Sequence, residues 1–180
     1  MRDNKIRELT LISLLSVIIA ISGMFKLPGL IPGTEFQMSA PIAIGICATF
    51  GFKRYIFSGI VASFINLLMG THTILNIIVA MTFRLIGGGI IGIFGTGIIV
   101  ITLAGPIGTF LGRLVMSFIT GVPAISLVIA ASIGMFYTSI SSYLVFKLIK
   151  RIAMKTSYKD FILCKASKYR NGENNNYEIV

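Results

Sequence analysis

The chain has 180 residues, 55% of them hydrophobic and only 12% charged, with a formal net charge of +10 and a mean hydropathy of +0.90. A soluble domain of this length needs a polar surface, and most of this chain has none. The composition therefore excludes a soluble globular protein and predicts an all-α integral membrane protein, a compact bundle of about six transmembrane helices in the cell membrane.

The net charge does not signal nucleic acid, because no soluble domain is present to bind it. Arg2, Lys5, Arg7, Lys53, Arg54 and the basic residues from Lys147 to Arg170 flank apolar segments. That pattern orients a membrane protein and attracts the anionic headgroups of the lipid bilayer.

A bilayer core takes about 20 helical residues per crossing. The first span, residues 9–24, lacks a small-residue cleavage site and reads as a retained helix rather than a cleaved signal. Pro28, Gly29, Pro32 and Gly33 make 25–37 a shaped loop, with Glu35 and Gln37 at the mouth of the second span, 38–50. The third span, 56–69, contains Asn66 and leads into Gly70-Thr71-His72-Thr73, with Asn76 just beyond. A loop histidine such as His72 is ordinarily solvated.

The apolar run 75–120 is too long for one crossing. Gly95-Thr96-Gly97 divides it into spans 75–94 and 98–120, which leaves Gly105-Pro106 as a kink inside the fifth. The sixth span covers 124–149. An even number of spans puts both termini and the basic turn at Lys53-Arg54 on one side, the cytoplasmic one. Residues 1–154 form the membrane domain. Residues 155–180 are polar and Asn-rich, the composition of a disordered cytoplasmic tail. Cys47 and Cys164 read as free thiols.

The chemistry-bearing residues are few. Aspartate is absent between Asp3 and Asp160, there is one histidine, and no Gly-rich loop ends in Lys-Ser or Lys-Thr. That leaves no catalytic dyad, no metal-ligand cluster and no ATP-binding loop, so the chain reads as neither an enzyme nor a holder of a metal or cofactor. Arg84 and Arg113 are the only formally charged residues between Tyr55 and Phe146. A charge inside a membrane domain faces protein or a watery cavity. At ~1.5 Å per residue the two lie ~13 Å and ~10 Å below the outer end of their spans. A carboxylate or phosphate ligand would neutralise them. Pairing with Glu35, carbonyls or lipid phosphate is the alternative.

Small residues at spacing four, among them Gly88/Gly92 and Ala104/Gly108/Gly112, allow close helix approach in lipid. Ser13, Ser16 and Ala20 form such a stripe on the first span and could meet another membrane subunit.

A basic start, a small-residue first helix, a Pro/Gly-rich outer loop, about six short spans and a basic C-terminal end resemble the substrate-binding S-components of energy-coupling factor (ECF) transporters. The resemblance covers most of the chain. Gly33-Thr34-Glu35-Phe36-Gln37 and Asn66-Leu67-Leu68-Met69-Gly70-Thr71-His72-Thr73 look like members for thiamine precursors such as the thiazole moiety. The first of these loops is also similar to biotin and niacin members. The resemblance implies capture of a small vitamin-like substrate from outside, with a membrane coupling subunit and two cytoplasmic ATPase subunits as partners. It implies docking of the coupling subunit on Ser13, Ser16 and Ala20. The expected substrate-binding residues are Glu35, Gln37, Asn66, His72, Asn76, Arg84 and Arg113. A stand-alone carrier or channel for a small organic anion is the rival reading, against which stands the lack of membrane acids for ion coupling. A structural or assembly subunit is a further rival.

Overall fold

A computed structural model describes residues 2–28 and 35–163. Six helices form a bundle: α1 (Arg2–Met24), α2 (Ser39–Phe50), α3 (Phe52–Leu68), α4 (Ile74–Phe94), α5 (Ile98–Thr120) and α6 (Ala124–Lys155). Between α1 and α2, the three-residue strands β1 (Lys26–Pro28) and β2 (Glu35–Gln37) pair antiparallel, with Lys26 opposite Gln37 and Pro28 opposite Glu35. The expected breaks hold. Gly95 closes α4 at φ 85°, a left-handed backbone that glycine tolerates, and Pro106 lies inside α5.

Four helices, α1, α4, α5 and α6, are long and apolar enough to cross a bilayer. Their outer faces carry exposed Ile, Leu and Phe, with Phe118 at 92% exposure and Ile93 at 79%. An apolar exterior of this kind suits lipid, and the chain is a multi-pass helical membrane protein.

The short α2 sits in the middle. Nine of its twelve residues are buried, and it packs against all five other helices. A helix apolar all round belongs in such a place. Its small residues set the distances: a Cβ on Gly45 would lie only 3.0–3.2 Å from Ile149, Val145 and the Phe146 backbone of α6.

Glycines also fix how α4 lies between its neighbours. Gly87 faces the Ala104 carbonyl of α5, Gly108 faces Phe83, and Gly112 faces Val79. On the other side, Gly88 abuts Tyr55 of α3, and Gly59 of α3 abuts Arg84. Both contacts are antiparallel, and both place backbones at the separations small residues permit. Three buried hydroxyls are satisfied within their own helices: Thr49, Thr138 and Ser142 each donate to the carbonyl four residues back, at 2.8, 2.6 and 2.6 Å.

Both ends of the described chain meet at one end of the bundle. After α6 the backbone turns through a short 3₁₀ segment (Lys159–Phe161), so residues 156–163 are folded rather than the start of a loose tail. Ile162 is buried. Residues 164–180, the rest of the expected disordered tail, and Cys164 with them, lie outside the described residues.

Arg54 organises this end. Its Nε donates to Glu8 of α1 at 2.7 Å, and Nη1 donates to the carbonyls of Phe50 and Phe161 at 3.1 and 3.2 Å. Its guanidinium also lies over the Phe161 ring, 4.9 Å from the centroid. Arg7 adds a hydrogen bond to the Ser157 carbonyl and a 3.8 Å ion pair with Asp160.

This packing places the three residues of the expected docking stripe differently. Ser16 and Ala20 are 1% and 2% exposed, and only Ser13 of the three is on the outside of α1. The cause is helical phase: Ser16 and Ala20 directly follow Leu15 and Ile19, which with Leu11 form the buried face.

Arg54→Ala removes the ion pair and both carbonyl bonds together. It is expected to cost about 1–3 kcal/mol and to quicken proteolysis of residues 156–163, measured by thermal unfolding and limited digestion in detergent. Glu8→Gln keeps the carbonyl bonds and is expected to do less.

Candidate functional site

The half of the bundle far from the two ends of the described chain encloses a cavity of ≈ 200 Å³ bounded by α1 to α5. Asn66, His72, Asn76, Arg84 and Arg113, all expected from the sequence, lie on its wall. The side chains of Glu35 and Gln37 are outside the described residues; their backbone forms β2, next to the start of α2.

The α3–α4 turn explains how three of these residues, Asn66, His72 and Asn76, converge. The main-chain carbonyl of Asn66 accepts from Thr71 N at 3.0 Å, His72 N at 3.2 Å and Thr71 Oγ1 at 3.0 Å. Gly70 makes the reversal at φ 68°. Thr73 then caps α4, its hydroxyl accepting from Asn76 N at 3.4 Å. The turn is thus drawn back over the bundle, so His72 is 7% exposed rather than solvated. Gly23 of α1 gives it room: a Cβ there would lie 3.1 Å from Asn66 Nδ2 and 3.6 Å from His72 Cε1.

Arg84 lies ten residues into α4, ~15 Å along its axis. It does not stay at that depth. Its stem crosses Gly59 of α3, and Nη1 donates to Ser63 Oγ at 2.5 Å, one turn nearer the α3–α4 turn. Arg113 on α5 is level with residue 78 of α4, given that Gly112 faces Val79. The Cα atoms are therefore ~9 Å apart in depth, but the rise of Arg84 along α3 brings its charge toward the level of Arg113.

Neither guanidinium meets a carboxylate among the described side chains. Glu8 and Asp160, the acids described there, are at the opposite end, engaged with Arg54 and Arg7. Each cavity arginine donates instead to a methionine sulfur one turn away: Arg84 to Met81 and Arg113 to Met116, both at 3.4 Å. Thioether sulfur is a weak acceptor, and a guanidinium has five N–H donors. Arg113 Nε and Asn66 Oδ1 are buried without a hydrogen-bond partner. The wall thus offers positive charge, unspent donors and one unspent acceptor, between apolar surfaces from Ile19, Ala43, Val79 and Phe83. It can hold a small molecule with an acidic group and an apolar body.

Several lining residues escaped the sequence reading, among them Gly23, Ser39, Ala40, Gly108, Thr109 and Met116. Those on α4 and α5 could have been found by helical phase. Val79, Ala80 and Phe83 share a face with Asn76 and Arg84, and Thr109 and Met116 share one with Arg113. Gly23 and Ala40 carry no chemical signal. Among the described residues, no three His, Cys, Asp or Glu gather as metal ligands.

Comparison with known proteins adds one relative. Protein BioX of Lysinibacillus sphaericus is 47% identical over 157 residues, which cover 87% of this chain and 95% of that protein. The chain belongs to the BioX family. No family model and no solved structure matches it.

An arginine kept for a ligand should burden the empty protein. Arg113→Met removes a partly buried, half-partnered charge while filling the same space. It is expected to raise the stability of the ligand-free protein by about 1–2 kcal/mol, read as a higher unfolding temperature in detergent. An arginine that serves helix contacts alone would show the opposite sign.

Proposed function

We propose that this chain is the membrane-embedded capture subunit of an ECF-type transporter, and that its cavity takes a vitamin or vitamin precursor bearing a carboxylate. The observation that carries this reading is the pair of arginines on one small cavity with methionine sulfur, not an acid, as the acceptor beside each. A planar guanidinium matches a carboxylate through two parallel hydrogen bonds, and does so best where water is excluded.

This chemistry favours the biotin and niacin classes over the thiazole class. Biotin and nicotinate each carry a carboxylate on a compact, mostly apolar body, whereas the thiazole moiety is neutral. The relationship to BioX supports a vitamin-related substrate.

In this reading both termini are cytoplasmic, because the bundle end that carries them also carries Lys53, Arg54, Lys147 and Lys150. The cavity then opens outward, with the β1–β2 strand pair as lid. Glu35 and Gln37 belong to that lid, and Asn66, His72 and Asn76 hold the uncharged end of the ligand. The coupling subunit docks on the outward face of α1, where Ser13 lies, and two ATPase subunits supply the energy for release.

The test is to purify the protein in detergent and identify by mass spectrometry the small molecule and the subunits that accompany it. A carboxylate-bearing vitamin or precursor and ATPase subunits are the expected result. A protein that emerges empty, binds neither biotin nor nicotinate and retains no ATPase subunit would overturn the proposal. Transport without ATPase partners would instead favour a stand-alone carrier. Arg84→Ala and Arg113→Ala are each expected to weaken carboxylate binding about 10- to 100-fold, with little effect on the corresponding neutral amide, as measured by titration calorimetry.

A further inference from the structure

The route of the Arg84 side chain is set by α3 rather than by its own helix. Cδ and Nε of Arg84 pass so close to Gly59 that a Cβ there would lie 2.6 and 2.7 Å from them, and 3.2 Å from Cζ. Real Cβ contacts are not found at such distances, and the atoms concerned are the middle of the side chain, not its free end. Any residue larger than glycine at 59 must displace the guanidinium. One turn on, Ser63 accepts from Nη1 at 2.5 Å, and Ser63 is itself 4% exposed. Gly59 and Ser63 are four residues apart on the face of α3 that also carries Asn66, so groove, acceptor and cavity wall are in line. The fully buried Tyr55, four residues before Gly59, flanks the same guanidinium from below.

We propose that Gly59 and Ser63 are positioning residues: together they form a rail that lifts the Arg84 charge about one helical turn, from the depth of its own Cα into the tier occupied by Arg113 and Asn66. The inference rests on the reading of the cavity as an anion-binding site, since only a ligand gives the height of the charge a purpose. It assigns a function to a glycine that in a membrane bundle would otherwise be credited to helix packing alone. Without the rail, Arg84 sits lower or turns aside, and the two cations no longer serve one acidic group.

Three measurements test this. The first needs no ligand: phenylglyoxal labelling of Arg84, quantified by peptide mass spectrometry. Arg84 is expected to be protected in the wild type, and Gly59→Ala and Ser63→Ala are each expected to raise its labelling several-fold. Ser63→Thr, which keeps the hydroxyl, is expected to restore protection. Unchanged labelling in both alanine variants would overturn the rail.

The second is a thermal-stability cycle. Gly59→Ala should lower the unfolding temperature when residue 84 is arginine and have little effect in an Arg84→Ala background, where the obstructing stem is gone. An equal effect in both backgrounds would mean that Gly59 serves helix packing and would also overturn the rail.

The third uses biotin and nicotinate beside their neutral amides. If either acid binds, Ser63→Ala is expected to weaken it about tenfold and to leave the amide nearly untouched, with Ser63→Thr recovering the loss. A loss shared equally by acid and amide would argue against positioning of charge. If neither acid binds while the labelling and stability results hold, the rail stands and the carboxylate reading of the cavity fails.

Discussion

Placing a guanidinium inside an apolar bundle is among the more costly things a membrane protein can do, and here it is done twice, Arg84 buried and Arg113 partly so, with no acid among the described side chains nearby. The architecture around the cavity follows from housing those two charges. Backbones close in through Gly87, Gly108 and Gly112 between α4 and α5, and through Gly59 and Gly88 between α3 and α4. The α3–α4 approach brings the Ser63 hydroxyl to Arg84, each arginine's methionine sulfur comes from its own helix, and most of the guanidinium donors stay unspent. A carboxylate partner inside the chain would have been a cheaper solution for folding. It would also have cancelled the charge that a ligand could use.

The two ends of the bundle treat arginine in opposite ways. At the end holding the termini, Arg54 is saturated by a carboxylate, two carbonyls and an aromatic face, and Arg7 meets Asp160 and the Ser157 carbonyl. These contacts tie α1, α3 and the segment after α6 into one base. At the far end the arginines meet sulfur and a single hydroxyl, beneath a turn held by one carbonyl, that of Asn66. Firm base and lightly bonded rim follow from where the few acids fall in the sequence.

Much of this was legible beforehand. The spans and their breaks follow from apolar run length and from Gly95-Thr96-Gly97, and α5 has the boundaries expected of it. Five of the seven expected site residues share the cavity wall, because polar side chains in an apolar stretch have few places to go. Other features were beyond a one-dimensional reading. The inward turn of Ser16 and Ala20 depends on which face of α1 meets α3, and small residues fit either side. His72 is buried because Asn66 folds the turn back, a backbone event that composition does not record. The folded segment 156–163 looks like tail because its anchors, Arg7 and Arg54, lie more than a hundred residues away.

The shortness of α2 has a consequence for volume. Twelve residues rise only ~18 Å, against the ~30 Å of a hydrocarbon core. The helix begins its count from the base, where Gly51 joins it to α3, so the whole deficit falls at the opposite end, beyond Ser39. A longer helix would continue straight through the space between Ala40, Asn76 and Arg113. The chamber is thus a helix stopped early, with a strand pair standing in for its last turns, and two or three extra residues at the start of α2 would close it as surely as any bulky side chain.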